Sequence, residues 1–275
     1  MTMNGKFTHY LATRFNVPVK NWEWDKAGQR VLDDTWMKER LSLFTTYCAP
    51  TIANQSMKDF TWLIYCDTLT PPGYLAIIHQ AIDGIPGATI RKVGDFEMAL
   101  TDFRMLLAAD PSPFVITSRL DNDDGLGPDF IREVQASFVP ADKMIINFNK
   151  GVLYDLQKHV LTEVRSSPYN HYGSLIEEKQ ADQMYLTIFG YPHGQPPIGS
   201  SVINLNNRFA WLKLIHQRNM VSRTNGWPLH RKHVISHFNL QANDVSQSWL
   251  ATAMFVVIRS LSKMKRTLFP TSKSK

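Results

Sequence analysis

Between residues 7 and 138 the chain alternates between two hydrophobic periods, and that alternation admits very few folds. "FTHYLATRFN", "DFTWLIYCDT", "ATIRKVGD" and "FVITSRLD" are short runs rich in β-branched and aromatic residues, and each predicts a strand. Stretches of helical spacing separate them. The first is "DTWMKERLSLFTTYCAPTIANQ", with Trp36, Leu41, Phe44 and Tyr47 at helical intervals. "PPGYLAIIHQAIDGI" and "FEMALTDFRMLLAAD" follow, and "GPDFIREVQASF" comes after the fourth strand. Such a series predicts an α/β fold with a mostly parallel central sheet, flanked by helices and joined by right-handed crossovers. The chain has 275 residues, 44% of them hydrophobic and 20% charged, so a packed core is within reach and global disorder is not expected.

Beyond residue 140 the pattern becomes mixed. "KMIINFNKGVLYDLQKHVLTEV" predicts strands, with a hairpin pairing Val152–Tyr154 with Val160–Val164. "SLIEEKQADQMYLTIFGYPHGQPPIGSSVINLNN" combines a helix, a strand and a Gly/Pro-rich loop. "RFAWLKLIHQRN" and "VSQSWLATAMFVVIRSLSKMK" have helical spacing. A single domain over residues 1–275 is the simplest division, with parts 1–140, 141–248 and a C-terminal helix and basic tail at 249–275.

No run reaches ~18 uninterrupted apolar residues, so no membrane-spanning helix is expected. The start "MTMNGKFTHY" lacks the order of a secretory signal. Cys48 and Cys66 have neither metal-ligand spacing nor the density of a disulfide framework. Together these predict a cytoplasmic protein. The formal charge of +6 calls for an anionic partner: nucleic acid, lipid or substrate. Zinc-finger spacing, an arginine-rich run and a single-strand-binding aromatic repeat are all missing, which sets nucleic acid aside.

The chemistry concentrates in "VITSRLDNDDGLGPDFI", where Asp121, Asp123 and Asp124 crowd the end of the fourth predicted strand. Open α/β sheets bind ligands outside the carboxyl ends of their strands. Thr13, Arg14 and Asn16, then Asp67, then Arg119 occupy the other such ends. Three crowded carboxylates repel one another, and a divalent cation relieves that repulsion. Mn²⁺ or Mg²⁺ prefers such hard oxygen donors. Strand alternation would send Asp121 and Asp123 to one side and Asp124 to the other. An exposed turn, with Asp129 capping the next helix, is the competing reading.

"LATRFN", "CAPTIANQSMKDFTWLIYCDT" and "PFVITSRLDNDDGLGPDFI", in this order and spacing, resemble the nucleotide-sugar half of glycosyltransferase family 2 enzymes. "RFN" and "RLDNDD" are most similar to a bacterial rhamnosyltransferase group. The resemblance implies a GT-A-like fold and a metal-dependent transfer of a sugar, rhamnose in the narrower likeness. The donor would be a nucleoside diphosphate sugar, the acceptor a glycan or a lipid-linked molecule, and the configuration inverted. It implies Mn²⁺ or Mg²⁺ at Asp121, Asp123 and Asp124, with Asp121 facing the ribose or a metal-bound water and Asp123 and Asp124 at the metal and the ribose. A cation bridging the two phosphates would neutralise charge on the leaving group. On this reading Asp123→Ala removes a ligand and relieves repulsion while leaving the fold intact.

The same resemblance puts Thr13 and Asp67 at the nucleobase and Phe15 where a Tyr often packs on it, though Phe15 also suits ordinary core packing. Cys66 stands where many members carry a further Asp. Arg104 and Arg119 are candidates for the pyrophosphate. The acceptor base should be a carboxylate at a helix start in the second half, and "SLIEEKQADQMYL" offers Asp182, Glu177 and Glu178. Asp182 matches imperfectly, because Ala181 replaces the first acid of the pair. His230, His233 and His237 lie at helical spacing without an evident fourth zinc ligand. His237 is the candidate for a late ligand to the active-site metal.

A nucleotidyltransferase-like enzyme is one alternative, disfavoured because "RFNVPVKNW" has no Gly-rich phosphate loop. A noncatalytic nucleotide-sugar-binding module is the other, disfavoured by the intact acidic cluster. The apolar-then-basic segment from Trp249 to Phe269 either packs on the core or lies against an anionic membrane surface on the inner face.

Overall fold

The computed structural model describes residues 6–268, except 21, 25–27, 29–30, 167–168, 181–183, 193–194, 207–208 and 218–223, and gives the backbone alone over 262–268. Strand β1 (Phe7–Arg14) leads into a long helical stretch made of α1 (Asp34–Leu43), a π-helical turn (Phe44–Cys48) and α2 (Ala49–Ala53). Then come β2 (Thr61–Asp67), α3 (Pro72–Ile82), β3 (Ala88–Val93), α4 (Phe96–Ala109), β4 (Phe114–Arg119), the short β5 (Gly125–Leu126) and α5 (Phe130–Ala136). The second half contributes β6 (Met144–Phe148), β7 (Lys150–Asp155), β8 (Val160–Arg165), β9 (Ser174–Glu178), β10 (Ser201–Leu205), β11 (Trp211–Ile215) and β12 (Trp227–Pro228). Helices α6 (Arg231–Phe238) and α7 (Trp249–Leu268) close the chain.

The main sheet has seven strands in the order β10-β6-β9-β4-β1-β2-β3. Every pairing in it is parallel except those of β9, which runs antiparallel to both β4 and β6. This is the mostly parallel central sheet that the sequence predicts. Helices cover both faces, so central strands are apolar on both sides. In β2, Trp62, Ile64 and Cys66 join the cluster under the first helices, while Leu63 and Tyr65 join Phe103 and Leu107 of α4. Helices α1 and α4 begin at aspartate side-chain caps, whereas Asp129 makes no cap hydrogen bond at α5. Asp33 accepts from Trp36 N at 2.8 Å and Asp95 from Met98 N at 2.8 Å, each satisfying a first-turn donor.

A second sheet, β12-β8-β7-β11-β5, stands beside the first. The chain crosses into it between β6 and β7, with only Asn149 between the two strands. The expected hairpin is present, Val152 opposite Glu163 and Tyr154 opposite Leu161. Two expectations fail here. Ser174–Glu178 is not the start of a helix but β9, and Trp211–Ile215 is not helical but β11. Each is a short apolar run that fits either period, and pairing across the sheet decides it.

Close packing ties the second sheet to the motif. The Trp211 ring lies over the backbone of Gly151, where an added Cβ would come within 2.1 Å of it. Trp211 Nε1 donates to Phe148 O at 3.0 Å, and the ring stacks on Tyr172 at 4.7 Å and 7°. Gly151→Ala therefore forces the indole to move. The expected cost is about 1–3 kcal/mol, as for other overpacked cores. A urea titration should show the midpoint falling, and an unchanged midpoint would mean that the indole moves at no cost.

Candidate active site

Asp121, Asp123 and Asp124 follow directly on β4, at the carboxyl edge of the main sheet. The alternation expected of an extended strand does not hold. Asp124 N donates to Asp121 O at 3.2 Å, closing a turn, and one ligand atom from each of the three acids lies within 4.8 Å of the others. Asp121 is exposed, whereas Asp123 and Asp124 are 5% and 2% exposed.

The helical stretch after β1 addresses this segment turn by turn. Arg40 forms an ion pair with Asp123 Oδ2. Cys48 Sγ faces Asp121 O at 3.8 Å, Thr51 Oγ1 accepts from Leu126 N at 3.2 Å, and Gln55 Nε2 donates to Gly127 O at 2.8 Å. Asn122 Nδ2 donates to Phe15 O at 2.8 Å and joins the turn to the end of β1.

The second sheet supplies the other wall. β5 pairs antiparallel with β11, Leu126 opposite Trp211 and Gly125 opposite Leu212. That pairing lays the turn beside the end of β11. Leu214 N donates to Asp124 Oδ1 at 3.0 Å, Tyr172 Oη donates to Asp124 Oδ2 at 2.6 Å, and His216 Nε2 lies 2.8 Å from Asp123 Oδ2. His216, Tyr172, Arg40 and Lys213 are functional candidates that sequence reasoning missed. The signal available for His216 was its place directly after an apolar strand, the same place the aspartates hold after β4.

The electrostatics are unequal. For Asp123, burial opposes ionisation, but Arg40 and the His216 contact outweigh it and hold its carboxyl well below the usual range. For Asp124, burial comes first, the charges of Asp123 and Asp121 add to it, and the pKa is pushed up to about 7 against Lys213 and the Tyr172 hydrogen bond. Burial lowers the pKa of Arg14 and Arg119, and the charge of Asp121 acts in the opposite direction on both. Burial lowers His171 to about 4. Three carboxylates and an imidazole form a donor set suited to Mn²⁺ or Mg²⁺, so the residues fit the implied cation.

The other predicted residues are distributed differently. Asp67 sits at the carboxyl end of β2, half-buried, with its carboxylate accepting from Leu69 N at 2.9 Å. Arg119 ends β4 beside the turn and donates through Nε to His171 O at 3.2 Å. Thr13 is fully buried and its hydroxyl accepts from Trp62 Nε1 at 2.9 Å; Phe15 is a core residue, edge-on to Phe44 at 5.2 Å. Both side chains are thus committed to the core rather than to the open edge of the sheet. His237 Nε2 donates to Phe209 O at 2.6 Å, and the histidine at the aspartates is His216 instead.

Arg104 lies on α4 and donates to Tyr185 O at 2.8 Å, beside Glu177 rather than the motif. The antiparallel register places Glu177 and Glu178 opposite Val115 and Phe114. At about 3.3 Å per residue, that is the end of β4 remote from Asp121, so neither can serve as a base there. Glu177 instead accepts from Leu186 N at 2.6 Å and Thr187 N at 2.9 Å. Asp182 lies outside the described residues.

Two outcomes follow from these environments. The expectation that Asp123→Ala leaves the fold intact does not survive the structure, because the substitution strands the buried Arg40. It should cost about 3–5 kcal/mol, whereas Asp121→Ala, at an exposed position, should stay within about 0.5 kcal/mol. Chemical denaturation of the two variants checks this, and equal stabilities would contradict the ion pair's role.

The second outcome concerns Glu177, whose pKa burial raises from 4.5 to about 7 despite its two backbone donors. Between those values the native state holds a proton that the unfolded chain has released. This contribution is therefore greatest below pH 4.5 and declines as pH rises to 7. Asp124 acts in the same sense, so Glu177→Gln should flatten the pH dependence of stability between pH 5 and 7 without abolishing it. An identical pH profile in the variant would rule Glu177 out as its source.

A mostly parallel α/β sheet with an acidic turn at its carboxyl edge defines the class of fold. Residues 8–227 match the family model described as "Putative rhamnosyl transferase", and the chain belongs to that family. No curated protein matches it. Among solved structures it is similar to S. aureus TarS 1-349, at 10% identity and a TM-score of 0.38, covering 76% of this chain and 60% of that one. It is also similar to TarS 1-349 in complex with UDP-GlcNAc, at 9% identity and a TM-score of 0.40, over 78% and 60% of the two chains. HddC from Yersinia pseudotuberculosis is similar at 9% identity and a TM-score of 0.36, over 76% of this chain and 93% of that one. The chain thus spans about 60% of the TarS 1-349 chain.

Proposed function

We infer that the protein transfers a sugar, rhamnose by its family, from a nucleoside diphosphate donor to a glycan or lipid-linked hydroxyl, with inversion and with Mn²⁺ or Mg²⁺. The observation that carries this reading is the acidic turn of Asp121, Asp123 and Asp124, joined by His216, in a chain of this family. On this reading residues 1–140 bind the donor and 141–248 address the acceptor.

Asp121, Asp123 and Asp124 would hold the cation, with His216 beside them. The cation would supply charge neutralisation on the departing pyrophosphate. Arg14 and Arg119, which flank Asp121, add fixed positive charge for the same phosphates. Asp67, at the next strand end, is the candidate for a hydrogen bond to the base. Tyr172 and Leu214 N hold Asp124 in place, while Arg40 and His216 do so for Asp123. Inversion needs a base to take the acceptor proton as the hydroxyl attacks the anomeric carbon and the diphosphate leaves. With Glu177 and Glu178 at the remote end of β4, Asp182 is the proposed base, on its position in the sequence alone.

A thermal-shift panel of nucleotide sugars with Mn²⁺, followed by transfer assays, tests this reading. Deoxythymidine-diphosphate rhamnose should give the largest shift, and chelator should remove it. Asp121→Ala should lower turnover at least a hundredfold while melting normally. Asp182→Asn should keep the donor shift and lose transfer. Full activity in chelator would reject the metal; a larger shift with another sugar would reject rhamnose alone.

A further inference from the structure

We propose that α7 is an interfacial helix that seats this protein on an anionic lipid bilayer. Helix α7 touches the rest of the molecule along one strip, and at its start the Trp249 ring, still mostly exposed, meets His230 at 5.3 Å. Thr252 is buried, and Ala251, Phe255 and Arg259 are partly buried. The helix packs there against β8, and the Arg259 guanidinium lies 4.7 Å over the Trp227 ring. The opposite side is apolar and open. Trp249, Leu250, Met254, Val256, Val257, Ile258 and Leu261 are each 42–75% exposed. Exposed apolar area of this extent on one element marks a surface that is covered in use.

The width of the face decides what covers it. At 3.6 residues per turn these positions spread over roughly 200° of the helix circumference. A partner helix covers only the narrower seam that a strict heptad pattern provides. A bilayer interface takes up an entire outer half, with the apolar side sunk at the boundary of headgroups and acyl chains. No charged residue interrupts the open side between Trp249 and Leu261; Arg259 belongs to the inner strip. The helix does not cross the membrane, since none of the described helices is long and apolar enough to do so.

Charge selects the kind of lipid. From Val245 to Lys275 there are six basic residues, Arg259, Lys263, Lys265, Arg266, Lys273 and Lys275, and no acidic one. The chain's net charge is +6, so the remaining 244 residues balance and the excess is confined to this segment. The apolar face and four of these basic residues, Arg259, Lys263, Lys265 and Arg266, lie on one element. That pairing suits an anionic surface, to which each nearby Lys or Arg adds attraction.

Flotation of the full chain with vesicles tests the proposal, using phosphatidylcholine with 25% phosphatidylglycerol against pure phosphatidylcholine. Binding to the anionic vesicles should be at least tenfold stronger, and should weaken at least tenfold between 0.1 and 1 M salt. The double variant Leu250→Glu/Val257→Glu changes two exposed positions and should melt normally. It should lose binding, whereas Asp121→Ala should keep it, so failure here is separable from failure of the transferase reading. Absence of binding at low salt overturns the proposal, and so does binding that survives the double variant. A dimer that the double variant dissociates, without vesicle binding by the parent chain, would assign the face to a second copy instead.

Discussion

Asp123 and Asp124 are buried side by side where water cannot solvate them, and the surrounding structure compensates for each by different means. Asp123 stays ionised because a guanidinium and an imidazole meet the same oxygen. Asp124 has a phenol and a backbone amide, both neutral, and its proton is correspondingly harder to lose. Removing one partner of a buried charge pair costs more than the pair itself contributes. The site's stability and its chemistry are therefore properties of the same contacts. Arg40, near the end of the first helix, and His216, directly after β11, stabilise the site before anything binds.

The first half of the fold was legible because its strands are covered on both faces and its helices on one, so the hydrophobic period changes visibly at each boundary. Asp33, Asp95 and the prolines before α3 mark the helix starts in the sequence itself. The acidic turn was legible for a chemical reason, since three adjoining carboxylates have few stable uses. The second half was not legible in the same way. "SLIEE" and "WLKLI" are five-residue runs whose conformation is set by partners far along the chain, β4 for one and β7 for the other. Reading β9 as a helix start moved Glu177 and Glu178 into a catalytic role that the antiparallel register denies them. Reading β11 as a helix hid His216, whose meaning comes from being the next residue after a strand. For Thr13 and Phe15 the core-packing alternative describes the side chains: at this strand end both are packed inside the molecule.

The aspartates' partners come from both sheets. The main sheet delivers the acids by β4; the second sheet delivers Leu214 and His216 by β11 and contacts the acids through β5. The stack of Tyr172 on Trp211, seated over Gly151, joins the two. A change in the packing of β7 therefore reaches Asp124 through two aromatic rings and one hydrogen bond, without any direct contact between β7 and the acid.

The span of those contacts along the chain bears on how the molecule is made. Leu214 meets Asp124 across 90 residues and His216 meets Asp123 across 93. On a ribosome the acids emerge long before the groups that balance them, and contacts of such separation form slowly. Until β11 arrives, the crowded carboxylates of the nascent first half have only Arg14, Arg40 and Arg119 as nearby cations. A shortened chain ending near residue 140 would remain in that state permanently. Residues 1–140 alone would therefore lack the partners that β11 gives to both buried acids.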